Sequence, residues 1–218
     1  MKSNLVKSIR TCGFVVAKKI RCIKLPKQSM EGLDFTNLLM EIAKNKKVLE
    51  FGSGGSTLAI ASTCTSIVTV ESEKTYIQLI KRALEYQSYK HVIQFFYANI
   101  GPVSSYGFPI KSFSRFFKKR YSNYYSGVFS SHPELIDVDI IFIDGRFRVA
   151  CFIEVLINVK PPFTVIFDDF YRPEYLALYN LCTPTSRLGK SALFEVRGQL
   201  IPTNEMLTLL SHYSCDPR

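Results

Sequence analysis

Five acidic residues of this 218-residue chain stand at or beside the ends of apolar runs. Glu50 lies in KVLEF (47–51), Glu71 follows SIVTV (66–70), Asp144 closes DVDIIFID, and Asp168 and Asp169 close FTVIFDD. A carboxylate there is costly to bury alone, so these side chains are expected to face a polar cleft, a cation or Arg146. Three oxygen donors converging on one point make a Mg²⁺ or Mn²⁺ site, which makes Asp144, Asp168 and Asp169 candidate metal ligands. A cation there would lower the pKa of an acceptor hydroxyl and orient it. Pairing of the same acids with Arg146 or Arg148 is the competing expectation. His132, in SSHPEL, is the candidate general base, with a plain loop or capping histidine as its alternative. Arg146, beside Asp144, is a candidate partner for an anionic substrate group or for the acids. His91 is expected at the opposite rim, and His212 falls in a tail that the pattern does not assign.

The stretch EFGSGGS (50–56) links one apolar run to the next helical pattern. Gly52 and Gly54 let a backbone turn tightly and pass close to a ligand, and Gly55 permits close helix packing. A dinucleotide fingerprint would need a third glycine at the sixth place, where Thr57 stands, and no GK[ST] follows for a nucleotide-phosphate loop. Glu50 just before the turn suits an amine-bearing ligand better than a pyrophosphate.

VLEFGSGGS and IVTVES resemble the first two motifs of the class I S-adenosylmethionine-dependent methyltransferases, over roughly residues 34–197. The resemblance implies that Gly52, Ser53 and Gly54 wrap the methionine and ribose parts of the cofactor. Glu71, with Ser72 beside it, would hold the ribose, and Glu50 would help to position the amino acid portion. Ala98 and Asn99, in YANI, would border the adenine, and Asp144 belongs to both the cofactor and catalytic sets. FIDGRF and VIFDDF are similar to the strand ends of metal-dependent O-methyltransferases of the catechol and macrolide-sugar type, which again implies Asp144, Asp168 and Asp169 as ligands of a divalent ion. The implied activity is methyl transfer to a hydroxyl of a sugar, glycan or other small molecule. A nucleic-acid methyltransferase is the alternative, although IDGR is not the [DNS]PP[YFW] loop of base-amine methylation. A dinucleotide-dependent oxidoreductase or a non-catalytic cofactor-binding module is more distant.

The elements that must position these residues follow from periodicity. Helical spacing covers 35–43, with Asp34 as a possible cap, 56–63, 72–86 with a Ser72 cap, 147–157 and 172–181. Strands are expected at 47–51, 66–70, 91–97, 137–145, 161–170 and 191–197. Such an alternation predicts a Rossmann-like α/β fold, a three-layer αβα sandwich around a mostly parallel sheet of seven strands. Residues 101–133 break the rhythm. This basic, aromatic insertion between strands three and four is read as a lid that shapes the acceptor pocket, or as a small hydrophobic staple. The expected organisation is a basic, helical N-terminal extension (1–33) and a methyltransferase domain (34–218).

The formal net charge is +10, and it is unevenly spread. Residues 1–30 hold eight Lys/Arg and no acid, and residues 102–133 hold five (Lys111, Arg115, Lys118, Lys119, Arg120) and no acid. Nucleic acid, an anionic membrane surface touched by the N-terminus, or plain solvation are all compatible with this. The six cysteines form no CxxC and histidines number three, which argues against a zinc cluster and for a reducing, cytoplasmic or intracellular setting. Nothing in the pattern specifies an oligomeric state.

Overall fold

A computed structural model of the protein describes residues 32–85, 87–198 and 201–218. The expected N-terminal extension lies, up to residue 31, outside the described residues. Seven strands form one sheet: β1 (Lys47–Phe51), β2 (Ser66–Glu71), β3 (Ile93–Tyr97), β4 (Ile140–Ile143), β5 (Phe163–Phe167), β6 (Ser186–Leu188) and β7 (Ser191–Val196). Their spatial order is β3-β2-β1-β4-β5-β7-β6. The pairings from β3 through to β5 are parallel, whereas β7 runs antiparallel to β5 and β6 antiparallel to β7. The expected Rossmann-like sandwich with a mostly parallel seven-stranded sheet is therefore present.

Alternation along each strand sorts side chains between two cores, because successive residues point to opposite faces. Leu49, Phe51, Ile141, Ile143, Val165 and Phe167 face the larger core, against helix α7 (Arg148–Asn158). Val48, Ile140, Phe142 and Ile166 face the smaller one, against α1 (Leu33–Ala43) and α2 (Gly55–Ala61). In α1 the buried residues Phe35, Leu39 and Ala43 recur every four positions, which is one helical face. Helix α3 (Lys74–Leu84) likewise buries one face, with Ile77, Ile80 and Leu84 three and four positions apart.

Several local expectations are corrected. Gly32, not Asp34, precedes α1, and Asp34 lies within its first turn, where its charge favours the helix dipole. Glu73 precedes α3 without a side-chain cap, because the Ser72 hydroxyl leans on Glu71 instead. Residues Pro173–Asn180 form a 3₁₀ helix rather than an α-helix. The tail left unassigned contains an α-helix, Asn204–Tyr213, whose start is capped by Thr203 Oγ1 accepting from Met206 N at 3.2 Å.

The 101–133 insertion folds into α4 (Lys111–Phe117), a 3₁₀ turn (Lys118–Arg120), α5 (Ser122–Tyr125) and α6 (Gly127–Ser131), which makes the tail helix α8. Tyr121, Tyr124 and Tyr125 from this insertion enter the larger core and surround Phe147, with ring centroids 5.1, 5.8 and 6.1 Å away. Phe147 has φ 54°, an unusual conformation for a bulky residue, and that aromatic enclosure holds it there. Of the insertion's aromatics read at the sequence level as a small staple (Phe113, Phe116, Phe117 and Tyr121), Tyr121 is buried, Phe113 and Phe117 are half-buried and Phe116 is exposed.

Candidate active site

The chain leaves β1 toward β2 on one side and returns to β4 on the other, so the loops after β1 and β4 part at a topological switch point. Backbone bonds carry the sheet register into the site: Asp144 N donates to Phe51 O and Asp168 N to Ile143 O, both at 3.0 Å. The carboxyl ends of β1, β4 and β5 are thereby aligned on one rim. Gly52 (φ 97°) and Gly145 lie back to back here. A Cβ on Gly52 would meet Gly145 Cα at 2.5 Å, and one on Gly145 would meet Tyr124 Oη at 2.0 Å. The side of Gly52 on which a side chain would stand is thus filled by the Gly145 backbone. Gly54 is the open position of the turn, since a Cβ there would meet only Ser56 Oγ and Tyr76 Oη, at 4.0 Å.

Glu50 is fully buried beneath the turn. Its two oxygens accept from Ser56 Oγ and Thr57 Oγ1, each at 2.6 Å, and Thr57 Oγ1 in turn accepts from Gly54 N at 2.8 Å. Glu50 therefore acts on any ligand through the turn that it shapes, without facing it. Complete burial pushes its pKa up to about 7, with the two hydroxyl bonds opposing.

Glu71 ends β2 beside that turn. Its Oε1 accepts from Ser72 N (2.6 Å) and Glu73 N (2.8 Å), and Oε2 accepts from Ser53 Oγ (2.9 Å). Burial raises its pKa while those bonds hold it down. Ala98, fully buried, is tied to β2 by Ala98 N donating to Glu71 O at 2.9 Å. Asn99 is exposed, and its Oδ1 accepts from Gly101 N at 3.2 Å. Glu71, Ser53, Ser72, Gly54 and Ala98 therefore lie together at the carboxyl ends of β1, β2 and β3. A carboxylate oxygen with one protein donor, next to an open glycine, suits a ribose hydroxyl.

The three aspartates do converge, and their common partner is Arg148. This guanidinium is buried, donating from Nη2 to Asp144 Oδ1 (2.9 Å) and from Nη1 to Asp168 O (2.6 Å). Nη1 also lies 3.6 Å from Asp168 Oδ2 and from Asp169 Oδ2, and Nε donates to Gly145 O at 3.1 Å. Asp168 further accepts from Ser191 Oγ at 2.9 Å, and Asp169 (φ 56°) pairs with Arg172. Among the described residues no group of three His, Cys, Asp or Glu side chains is arranged to hold a metal ion. The aspartates thus do not fit the expected divalent site, because an arginine already stands among them and a second cation would be repelled. Taking Arg148 away would strand buried charge, a change that costs about 3–5 kcal/mol in comparable pairs.

Asp144 keeps 35% of its side chain accessible. Its pKa lies well above the usual aspartate range, first through burial and then through the neighbouring Asp168 charge, with Arg148 opposing. His132 is not brought to this cluster. Its Nδ1 lies 2.9 Å from Glu134 Oε1 and its ring meets Phe96 edge-on, so the imidazole named as base serves a local pair. Arg146 sits between the rim and the insertion: its N–H donates to Tyr124 Oη at 3.2 Å, and its guanidinium lies 4.2 Å from the Phe108 ring centroid. The turn carrying Phe108 is closed by Ser104 N donating to Phe108 O at 2.7 Å. A Cβ on Gly107 would come within 3.0 Å of Ser72 Oγ and 4.0 Å of Glu71 Oε1, so this turn lies over the β2 end.

Sequence reasoning missed Ser56, Thr57, Tyr124, Ser191 and Phe108 as site residues, and placed Arg148 only as an alternative partner. The i, i+4 spacing of Asp144 and Arg148 was the available signal for the last.

No family model matches the chain, and no curated protein matches it. Solved structures do. A methyltransferase-like protein from Silicibacter pomeroyi superposes with a TM-score of 0.77 at 23% identity, covering 88% of this chain and 100% of that one. The O-methyltransferase TomG from Streptomyces achromogenes, involved in tomaymycin synthesis and solved with S-adenosylmethionine, gives 0.52 at 15% identity, covering 77% and 81%. A putative O-methyltransferase from Klebsiella pneumoniae gives 0.53 at 16% identity, covering 80% and 84%. With its strand order and its glycine turn at the switch point, the chain has the fold of the class I S-adenosylmethionine-dependent methyltransferases.

Proposed function

We propose that the protein is an S-adenosylmethionine-dependent methyltransferase acting on a hydroxyl of a small molecule or sugar. The observation that carries this is the Glu71 carboxylate, fixed beside Ser53 of the glycine turn at the switch point of this sheet. Gly52, Ser53, Gly54, Glu71 and Ser72 would hold the cofactor, with Ala98 and Asn99 at the β3 end. Bound there, the cofactor supplies an electrophilic methyl group on a sulfonium. Asp144 accepts the acceptor's proton, being partly open and having a raised pKa, and Arg148 fixes its orientation. The 101–133 insertion excludes water from above, through the turn that already lies over Glu71 and Ser72. The O-methyltransferase neighbours support the choice of oxygen as acceptor.

Titrating S-adenosylmethionine calorimetrically into the full chain tests the reading. One equivalent is expected to bind, and Glu71→Gln to weaken it by about tenfold or more, the worth of one charge-assisted hydrogen bond. No binding by folded protein, or unchanged affinity in the variant, would refute it.

A nucleic-acid acceptor is favoured by one observation, the exposed basic face of Lys111, Arg115, Lys118, Lys119 and Arg120. A steep fall in acceptor binding with salt would select that reading over a small acceptor.

A further inference from the structure

The two arginines after β4 have divided their work. Arg148 takes the carboxylates of Asp144, Asp168 and Asp169. Arg146, two residues earlier, makes none of the ion pairs found among the described residues. Its Nε is buried and has no hydrogen-bond partner, while its guanidinium face rests on Phe108. A face-on aromatic contact fixes the plane of a guanidinium and leaves its edge of N–H donors to be satisfied by something else. A buried Nε–H without a partner is costly, and a planar or tetrahedral oxyanion can bridge it and the neighbouring Nη–H.

The position restricts what that oxyanion belongs to. Arg146 lies between Asp144, where the acceptor hydroxyl must come, and the Ser104–Phe108 turn that closes the site. The same insertion carries the acid-free basic stretch 111–120, anchored beside the turn by Phe117. The Phe117 side chain lies so close to Gly101 that a Cβ there would approach it to 2.4 Å. The exposed Lys and Arg side chains of that stretch add positive charge to the insertion, which draws anions toward it. We propose that Arg146 is the recognition residue for an anionic group, a carboxylate or phosphate monoester, carried by the small acceptor. The proposal rests on the methyltransferase reading for the identity of the site, and on Arg146 alone for the charge of the ligand. Burial and the neighbouring Arg148 charge both press the Arg146 pKa downward, a penalty that an incoming anion relieves.

The test uses inorganic phosphate as probe, titrated into the full chain saturated with S-adenosylhomocysteine, for the native protein, Arg146→Lys and Arg146→Gln. The expected result is one phosphate bound, at least tenfold weaker in Arg146→Gln and intermediate in Arg146→Lys. Affinity for S-adenosylhomocysteine should change less than threefold in both variants. Absence of phosphate binding in the native protein, or equal binding in Arg146→Gln, overturns the proposal. A parallel loss of S-adenosylhomocysteine affinity also overturns it, by assigning the guanidinium to the cofactor's own carboxylate. If S-adenosylhomocysteine does not bind, the methyltransferase reading fails separately, and the phosphate titration of the free protein still decides the role of Arg146.

Discussion

Glu50 shows how one buried carboxylate ties stability to pH. Its folded pKa of about 7 lies above the ordinary carboxylate value of 4.5, so the folded state binds the proton more tightly than the unfolded one. The stabilising effect of that proton is complete below the unfolded value and is lost as pH rises from about 4.5 to 7. The full loss is on the order of 3 kcal/mol for this carboxyl alone. Glu50→Gln removes the titration, so the stability of the native protein relative to this variant should fall between pH 5 and 8. Urea unfolding midpoints across that range would show it, and a constant difference would contradict it. At this scale the sequence was informative about which acids end strands, because an apolar run followed by Asp or Glu is a local pattern. It was less informative about who partners them. Arg148 reaches from the first turn of α7 past Asp144 to the loop after β5, and that long-range choice between two nearby arginines is settled by packing. His132, the candidate base, instead has a local partner in Glu134, two residues along the chain, as its alternative reading as a loop histidine allowed.

Between elements, the decisive contact is the one at Gly52. Its φ of 97° and the 2.5 Å separation from Gly145 Cα that a Cβ would impose leave no room for a side chain. Gly52→Ala is therefore expected to destabilise the fold by about 2–3 kcal/mol through overpacking against backbone, with further cost from the left-handed conformation. Gly54→Ala, at an extended and open position, should be much milder in thermal unfolding of the free protein. Equal losses in the two would contradict the assignment. The turn was legible as a turn, but which glycine approaches backbone and which faces open space depends on Gly145 in the β4 loop, far away in sequence. Elements with strong periodicity, such as α3 and β1, were legible for the same local reason as the strand-end acids. The three-residue β6 is too short to show a period, and Pro173 begins a segment whose turn is tighter than its apolar spacing suggests. Helix α8 did carry a signal that went unused, a Thr203 cap followed by Met206, Leu209, Leu210 and Tyr213 on the core-facing side.

For the whole molecule, β3-β2-β1 and β4-β5-β7-β6 are two half-sheets, and the candidate site lies where they meet. None of the described helices is long and apolar enough to cross a membrane. The carboxyl ends of the first half hold the proposed cofactor residues, and those of the second hold Asp144, Arg146 and Arg148. The larger core continues under both halves without a break, drawing on the insertion and on α8. Across the seam above that core, the two loops touch through bare backbone at Gly52 and Gly145. No flexible side chain is interposed to absorb a shift, so displacement of one loop is passed directly to the other. Loading the first half should therefore prepare the second, and the two ligands should enter in a compulsory sequence, cofactor first. Product-inhibition patterns would reveal it. S-adenosylhomocysteine should compete with the cofactor and not with the acceptor, whereas a random sequence would mean that the seam transmits nothing.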